Sequence, residues 1–116
     1  MKFALVILET AASRQHIREH RAEHRAAIEQ WIGGLAQSGK LLGGEAFETE
    51  AMGPITVRHN GAEVSVEEAP FCGNGETLGG YFIVDAADRD DAISLARTWP
   101  AQETIEVRPI WSADQG

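Results

Sequence analysis

The stretch "VEEAPFCGNGETLGGYFIV", residues 66–84, carries the strongest indication of the fold. An acidic pair, a Pro-Phe-Cys step and four glycines lead into one clean apolar strand at residues 80–84. The glycines do not form a dinucleotide-binding fingerprint, because Leu78 occupies the place of the third glycine and a strand follows where a helix is needed. The stretch therefore predicts a shaped loop that ends in a sheet strand, without a phosphate cradle.

The size and charge of the chain limit its functional class. Its 116 residues predict a single domain at residues 1–111 and a polar tail at 112–116. A formal charge of -8 argues against direct nucleic acid binding, which depends on Lys and Arg neutralising phosphates, and disfavours an anionic membrane surface. The single cysteine, Cys72, and an N-terminal apolar run too short for a secretory signal predict a cytoplasmic protein.

Periodicity and turn residues predict the elements before the opening stretch. The apolar run 2–8 is typical of a strand at the centre of a sheet or covered on both faces. Ser13 is a candidate N-cap for an amphipathic helix over residues 14–38. A second strand, broken by two glycines, is predicted at 40–47. In residues 55–66, alternation around Asn60-Gly61 predicts a hairpin with a type I′ turn.

The elements after the opening stretch complete the topology. Asp88 is predicted to cap a helix that runs to about Trp99, and a last strand follows at 104–110. The order strand, helix, strand then occurs twice, which predicts an α+β fold: a ferredoxin-like antiparallel sheet with both helices on one face and an inserted β-hairpin. The other face would be bare, so we expect a homodimer packed sheet to sheet.

Three histidines recur at intervals of four in the first predicted helix: His16, His20 and His24. Their row drifts by about 40° per turn, and no Cys or acidic cluster lies at ligand spacing, so we predict no metal site. On the helical wheel His24 falls inside the apolar stripe with Ile17 and Ile28 and should point at the sheet. It is either a core-edge histidine satisfied by a neighbouring acceptor or a general base in a pocket between helix and sheet.

Glu67 and Glu68 stand just before a stiff segment of the opening loop. The segment is stiff because Pro70 forces an extended conformation on Ala69, the residue before it. Most acidic pairs in loops are solvated, and this is the interpretation for Glu67. For Glu68, a solvated carboxylate and a catalytic acid or base both stay open.

Two arginines, Arg58 and Arg108, lie in predicted strands. Each can hold an anionic group of a ligand, or can pair with an acidic residue such as Glu63 or Glu106. The sequence leaves both alternatives open.

The chain resembles the YCII-related family and, within it, the subgroup named for an Asp-Gly-Pro-Phe motif. The matching segments are "TVR" at 56–58, "EAPF" at 68–71, "ETLGGYFIV" at 76–84, "DRDDAISLARTWP" at 88–100 and "IEVRPI" at 105–110. The resemblance implies a ferredoxin-like domain that forms a dimeric α+β barrel, similar in outline to muconolactone isomerases and cofactor-free monooxygenases. It also suggests a regulatory partner, an extracytoplasmic-function sigma factor.

The chain departs from the family pattern at two places. Glu68-Ala69 stands where the motif has Asp-Gly, which keeps a carboxylate with one more methylene, and "GNGE" at 73–76 keeps only Glu76 of the usual continuation. In the better-known branch of the family a helical histidine pairs with an acidic residue. The position of that histidine matches Ile28 here, so no catalytic histidine is carried over from the family. The prediction of a role for His24 depends only on its position on the helical wheel.

These observations lead to two functional hypotheses. The first is a homodimer that binds a small molecule, anionic or neutral, and uses no cofactor, with Glu68 and His24 as catalytic acid and base. The ligand-binding residues would be Arg58, Phe71, Tyr81 and Arg108. The alternative is a non-enzymatic module that binds a sigma factor.

Overall fold

Six strands and three helices make up residues 1–49 and 51–112, the part of the chain that the computed structural model describes. In chain order they are β1 (Lys2–Glu9), α1 (Ala11–Glu19), α2 (Arg21–Gln37), β2 (Leu41–Ala46), β3 (Thr56–Asn60), β4 (Glu63–Glu67), β5 (Thr77–Asp85), α3 (Arg89–Arg97) and β6 (Thr104–Pro109). All but the first residue of the predicted tail lies outside the described residues. No helix in the described part is long and apolar enough to cross a bilayer.

Four strands form an antiparallel sheet in the order β2-β5-β1-β6. The central strand β1 buries Phe3, Leu5 and Ile7 on one face, while the residues between them are half-buried. The central position predicted for this strand is confirmed. The helices pack on one face of this strand only, so the central position, and not helices on both faces, accounts for its apolar run.

The core lies between this sheet and the helices. Leu35 of α2 and Ala92 of α3 are buried together with Phe3, Leu5 and Val84, which share one face of the sheet. A second layer of aromatic rings packs beside this core: Trp31 lies edge to face against Phe82 and Trp99, and Phe82 is tilted against Trp99, with centroids 5.0 to 5.8 Å apart. The predicted α+β class with antiparallel strands is confirmed.

The second half of the chain follows the prediction with shifted ends. β5 begins at Thr77, three residues before the predicted start, and α3 ends at Arg97, two residues before Trp99. Asp88 is the N-cap, as predicted: its carboxylate accepts a hydrogen bond from the backbone N–H of Asp91 at 2.9 Å.

The first helix differs from the prediction at two points. It starts at Ala11, because Thr10 and Ser13 form a capping box in which each side chain accepts from the other's backbone N–H, so Ser13 is not the N-cap. It also breaks at His20, where φ is -131° and ψ 39°. Neither proline nor glycine lies near His20, so this break has no local sequence signal.

The predicted hairpin is β3–β4, and it forms a separate two-stranded sheet. Asn60 pairs with Glu63, so the turn residues are Gly61 and Ala62 and not Asn60-Gly61. Only glycines have positive φ among the described residues, and Gly61 has φ 65°. The type I′ prediction is wrong, since that turn needs positive φ at both central residues; a glycine at the first alone is typical of type II′.

The glycines predicted to break the second strand allow it to continue. A bulge between Leu41 and Gly43 keeps β2 in the sheet. A Cβ at Gly44 would lie 2.6 Å from the Tyr81 carbonyl oxygen, and a Cβ at Gly80 would lie 2.6 Å from the Glu45 carbonyl oxygen. The β2–β5 contact therefore requires both glycines.

We predict that Gly80→Ala lowers the free energy of unfolding by about 1–3 kcal/mol, because the added methyl group overpacks against the backbone of β2. Urea unfolding followed by circular dichroism measures the change. Gly33→Ala in α2 is the control: nothing lies within 4 Å of its Cβ position, and a gain of up to about 1 kcal/mol is expected there. A Gly80→Ala protein as stable as wild type would contradict the close approach.

Candidate active site

A cavity of about 310 Å³ lies between the helix-covered face of the sheet and helices α1 and α2. We call it the helix-side cavity. Its charged and polar lining comes from the end of β1, from both helices, from β2 and the segment after it, and from the loop before β6. These residues are Glu9, Arg14, Arg21, His24, Glu45, Glu48, Thr49 and Glu103. Apolar side chains, including Ile17, Ile28, Phe82 and Trp99, form the rest. Ionisable groups from several elements thus converge on one small space.

The helical wall of the cavity follows one stripe across the break at His20. Ile17, Arg21, His24 and Ile28 recur at a spacing of three or four residues and all line the cavity. His24 faces the sheet, as the wheel predicted.

His24 is hydrogen-bonded to a carboxylate in the floor of the cavity. Its Nε2 lies 2.7 Å from Oε1 of Glu103, whose side chain is only 3% exposed, against 19% for His24. The indole N–H of Trp99 donates to the other oxygen, Oε2, at 3.1 Å. An ionised carboxylate only accepts, so a neutral imidazole beside it places its hydrogen on Nε2 and leaves Nδ1 as an acceptor.

Packing of the aromatic cluster fixes Trp99 and, through it, Glu103. The Trp99 ring lies 5.0 Å from Trp31 and 5.8 Å from Phe82. The indole N–H of Trp31 donates to the hydroxyl of Thr98 at 2.8 Å and so joins α2 to the end of α3. The loop that carries Glu103 is thereby held at the sheet.

Glu9 is the second carboxylate of the site. It has the parity of Phe3, Leu5 and Ile7 in β1, so its side chain enters the buried layer and is 9% exposed. The last pair of the β1–β6 ladder is Leu8 with Thr104. Glu9 follows Leu8 in β1, and Glu103 directly precedes Thr104, the first residue of β6. The two acids are therefore neighbours at the end of the ladder.

The surroundings of Glu9 favour its protonated form. Burial raises the pKa of Glu9 above its ordinary value, and the negative charge of Glu103 raises it further. The charge of Arg14, the charge of His24 when its ring is protonated, and a hydrogen bond from the side chain of Thr49 lower the pKa, but they do not cancel the rise. The site therefore combines an acid that resists ionisation with a carboxylate-bound imidazole.

Gly79 makes room for the Glu9 side chain. A bulge in the β1–β5 pairing between Ile7 and Leu8 leaves Gly79 outside the ladder. A Cβ there would lie 2.8 Å from Cδ of Glu9 and 2.9 Å from its Cγ, and would overlap Oε2. The glycine-rich end of the opening stretch thus shapes the site by lacking a side chain.

Arg14 ties the opening loop to the site. Its guanidinium donates to the carbonyl oxygens of Glu9 and Gly75, each at 3.4 Å. The loop before β5 is thereby joined to the end of β1, and a positive charge stays near the Glu9 carboxyl.

The predicted catalytic pair is not brought together in this cavity. His24 lines it, but Glu68 is exposed in the loop after β4 and is not among the lining residues. Glu67, predicted to be solvated, is exposed and pairs with Arg58 at 3.0 Å.

The predicted ligand-binding residues lie away from His24. Phe71 and Arg108 line a second cavity of about 650 Å³ on the sheet face opposite the helices, with Val6 and Leu8; we call it the open-face cavity. Tyr81 pairs with Val6 and so points to this same face.

The two predicted arginines each have an acidic partner. Arg108 pairs with Glu106 at 3.2 Å, one of the predicted alternatives. Arg58 pairs with Glu67 and not with Glu63, and its guanidinium carbon lies 5.3 Å from the centroid of the Phe71 ring. Their roles as anion-binding groups stay predictions.

Sequence reasoning missed Glu9 and Glu103. The signal for Glu9 was present, because a charged residue at the buried parity of a central strand is unusual. Glu103 lies in a short loop whose residue types give no indication of burial.

We predict that Glu9→Gln gains stability relative to wild type as the pH rises. The folded-state pKa of Glu9 lies above its ordinary value of 4.5, so the wild-type protein loses stability from that pH upward through the folded pKa, and glutamine removes this loss. Urea unfolding at pH 4.5 and pH 7 should give a difference, Gln variant minus wild type, that is more positive at pH 7. Glu68→Gln, at an exposed position, is the control. A Glu9→Gln difference that is the same at both pH values would contradict the buried carboxyl.

We also predict that Gly79→Ala displaces the Glu9 side chain, since the flexible carboxyl end yields more easily than backbone. Displacement toward solvent should bring the pKa of Glu9 back toward its ordinary value, which a ¹³C NMR titration of the glutamate carboxyl carbons measures. Gly73→Ala, where nothing lies within 4 Å of the Cβ position, should leave the titration unchanged. An unaltered Glu9 titration in Gly79→Ala would show that the contact does not set its position.

Comparison with known proteins identifies the family. The chain is similar to an uncharacterised protein of Rhizobium meliloti (strain 1021), with 33% identity over 78 residues, which are 64% of this chain and 62% of that protein. The model of the YCII-related domain matches residues 1–114, which include every element described above. The chain therefore belongs to the YCII-related domain family.

Proposed function

We propose that this protein binds a small organic molecule in the helix-side cavity and performs acid–base chemistry on it without a cofactor. The observation that carries the proposal is the 2.7 Å hydrogen bond between His24 and Glu103 beside Glu9, whose pKa is raised. A carboxyl group whose pKa is raised, next to an imidazole that is hydrogen-bonded to a carboxylate, places a proton donor and a proton acceptor in one site.

The chemistry follows from the hydrogen bonds of the pair. Nδ1 of His24 accepts a proton from an acidic C–H or O–H of the ligand, and the Glu103 carboxylate stabilises the imidazolium that forms. Glu9 in its protonated form donates a hydrogen bond, or its proton, to the ligand oxygen that gains negative charge. Arg14 compensates the charge left on Glu9.

The dimensions and lining of the cavity limit the ligand. A volume of about 310 Å³ is at the lower end for ligand pockets, which fits a small metabolite and not a dinucleotide. Ile17, Ile28 and Phe82 provide an apolar wall for a carbon skeleton. Glu103, Arg14 and His24 lie near Glu9 at the end of β1. A short-chain or single-ring carbonyl compound, such as an oxo acid or a lactone, fits a cavity with one apolar wall and one ionisable end.

We further propose a ferredoxin-like fold and a homodimer in the manner of dimeric α+β barrels. The strand order β2-β5-β1-β6 supports the ferredoxin-like fold, because α1 and α2 connect β1 to β2 and α3 connects β5 to β6. The sheet face opposite the helices supports the homodimer: none of α1, α2 and α3 packs on it, and its apolar side chains, Ala4, Val6, Leu8, Tyr81 and Ile83, are only half-buried. Membership of the Asp-Gly-Pro-Phe subgroup, supported by "EAPF" at 68–71, and a cytoplasmic location stay predictions.

The test is a thermal-shift screen of the purified protein against oxo acids, lactones and aromatic carbonyl compounds. A ligand at a hundred times its dissociation constant should add about 2.7 kcal/mol of stability. We expect the shift to be lost or strongly reduced in His24→Ala, Glu9→Gln and Glu103→Gln and kept in Glu68→Gln, the control. Any compound that binds is then assayed for turnover, which should be lost in His24→Ala.

Three outcomes would contradict the proposal. Shifts that survive all three cavity variants would remove the site from this cavity. Loss of the shift in Glu68→Gln alone would place the binding site at the opening loop. A screen without binders would favour the non-enzymatic module with a sigma factor partner, which a pull-down with that factor would test.

A further inference from the structure

The β3–β4 hairpin has one apolar and one polar face. Its register places Val57 opposite Val66 and His59 opposite Val64, so these four side chains share a face. The three valines are 52%, 66% and 57% exposed, in the order Val57, Val66 and Val64. Residues of the other face are Thr56, Arg58, Ser65 and Glu67.

An apolar face is expected to pack on the protein and a polar face to meet solvent, but the hairpin is oriented the other way. The polar face is tied to the chain: the Thr56 hydroxyl donates to the Ala69 carbonyl oxygen at 2.7 Å, and Arg58 lies against the ring of Phe71. The apolar face is the one left to solvent. A two-stranded hairpin is marginally stable by itself, so an uncovered row of valines indicates that something packs on it.

The exposed area of the chain is large enough for a substantial interface. The chain exposes 7940 Å², whereas a monomeric protein of 12.6 kDa exposes about 6,200 Å², an excess of about 1,700 Å². A standard interface buries about 800 Å² on each partner, so the excess exceeds what one sheet-to-sheet contact of that size removes. The radius of gyration, 16.0 Å against about 13 Å for a globular chain of this length, agrees.

The charge at the contact itself decides whether a second copy can pack on the valines. The chain carries -8, so two copies repel at long range, but salt screens this repulsion beyond about 8 Å at physiological ionic strength. The apolar hairpin face has no Asp, Glu, Lys or Arg. A second copy of this chain can therefore pack on this face without like charges in direct contact, and in a two-fold dimer each copy both offers and receives the same contact.

We propose that the apolar face of the β3–β4 hairpin is buried against a second copy of this chain, as an arm that extends the dimer interface. This inference rests on the homodimer proposed above and is independent of the acid–base chemistry. The arm gives the inserted hairpin, which contributes nothing to the four-stranded sheet, a role in assembly.

Sedimentation equilibrium measures the dimer dissociation constant of wild type, Val64→Glu, Val66→Glu and Ser65→Glu. Each valine variant buries an unpaired charge in the interface and should raise the dissociation constant by about tenfold or more. Ser65→Glu, on the polar face of the same strand, is the matched control and should not. Circular dichroism and thermal unfolding of each variant establish that the main sheet is still folded.

A paramagnetic label locates the arm directly. Unlabelled protein carrying a nitroxide at Ala62→Cys in a Cys72→Ser background is mixed with ¹⁵N-labelled wild type. We expect broadening of amide signals in the ¹⁵N-labelled copy. A wild-type monomer at all concentrations would overturn both the dimer and the arm. A wild-type dimer whose dissociation constant is unchanged by the valine variants, without intermolecular broadening, would overturn the arm alone.

Discussion

The alternation of side chains along β1 is the constraint on which both the core and the site depend. β1 is the central strand, and helices cover one face of its sheet, so every second side chain enters the same buried layer. Phe3, Leu5 and Ile7 fill that layer with apolar volume. Glu9 continues the row at its end. The same geometry that builds the core therefore places a carboxyl group where water cannot fully solvate it.

A buried carboxyl group needs partners, and the molecule provides them from separate parts of the chain. Arg14 comes from α1, Thr49 from the segment after β2, and the missing side chain of Gly79 from the loop before β5. His24 and Trp99 hold the neighbouring Glu103. Among the described residues no buried side-chain nitrogen or oxygen lacks a hydrogen-bond partner. Such a network is costly to assemble but stable once every group is satisfied, which suits a preorganised site.

The one-sided arrangement of the helices determines the rest of the surface. A sheet packed on a single layer of helices leaves its other face to a partner or to solvent. Here that face is apolar along β1 and β5, holds the open-face cavity, and is accompanied by a hairpin whose valines are also uncovered. The proposed ligand cavity is thus on the helix side, and the proposed contacts with another copy are on the other side of the sheet and on the hairpin.

Much of the fold could be predicted from the sequence, because its signals are local. The apolar run of β1, the Asp88 cap and the alternation in residues 55–66 each depend on residues close in sequence, and each predicted element exists. The break at His20 was missed because no residue there disfavours a helix. The turn type was missed because the β3–β4 register, and not the Asn-Gly dipeptide, sets the turn residues.

The sequence by itself determined the α+β class, the order of the elements and the orientation of His24, since these follow from periodicity and from residue types within a few positions. Only the tertiary structure decided which acid accompanies that histidine. Glu68 was preferred because it stands at the acidic position of the Asp-Gly-Pro-Phe motif, yet Glu103 and Glu9 line the cavity. The pairing of β1 with β6 brings these two together, although they are almost a whole chain apart in sequence. Hydrogen bonding and burial depend on distance in space, which residue types and local spacing do not record.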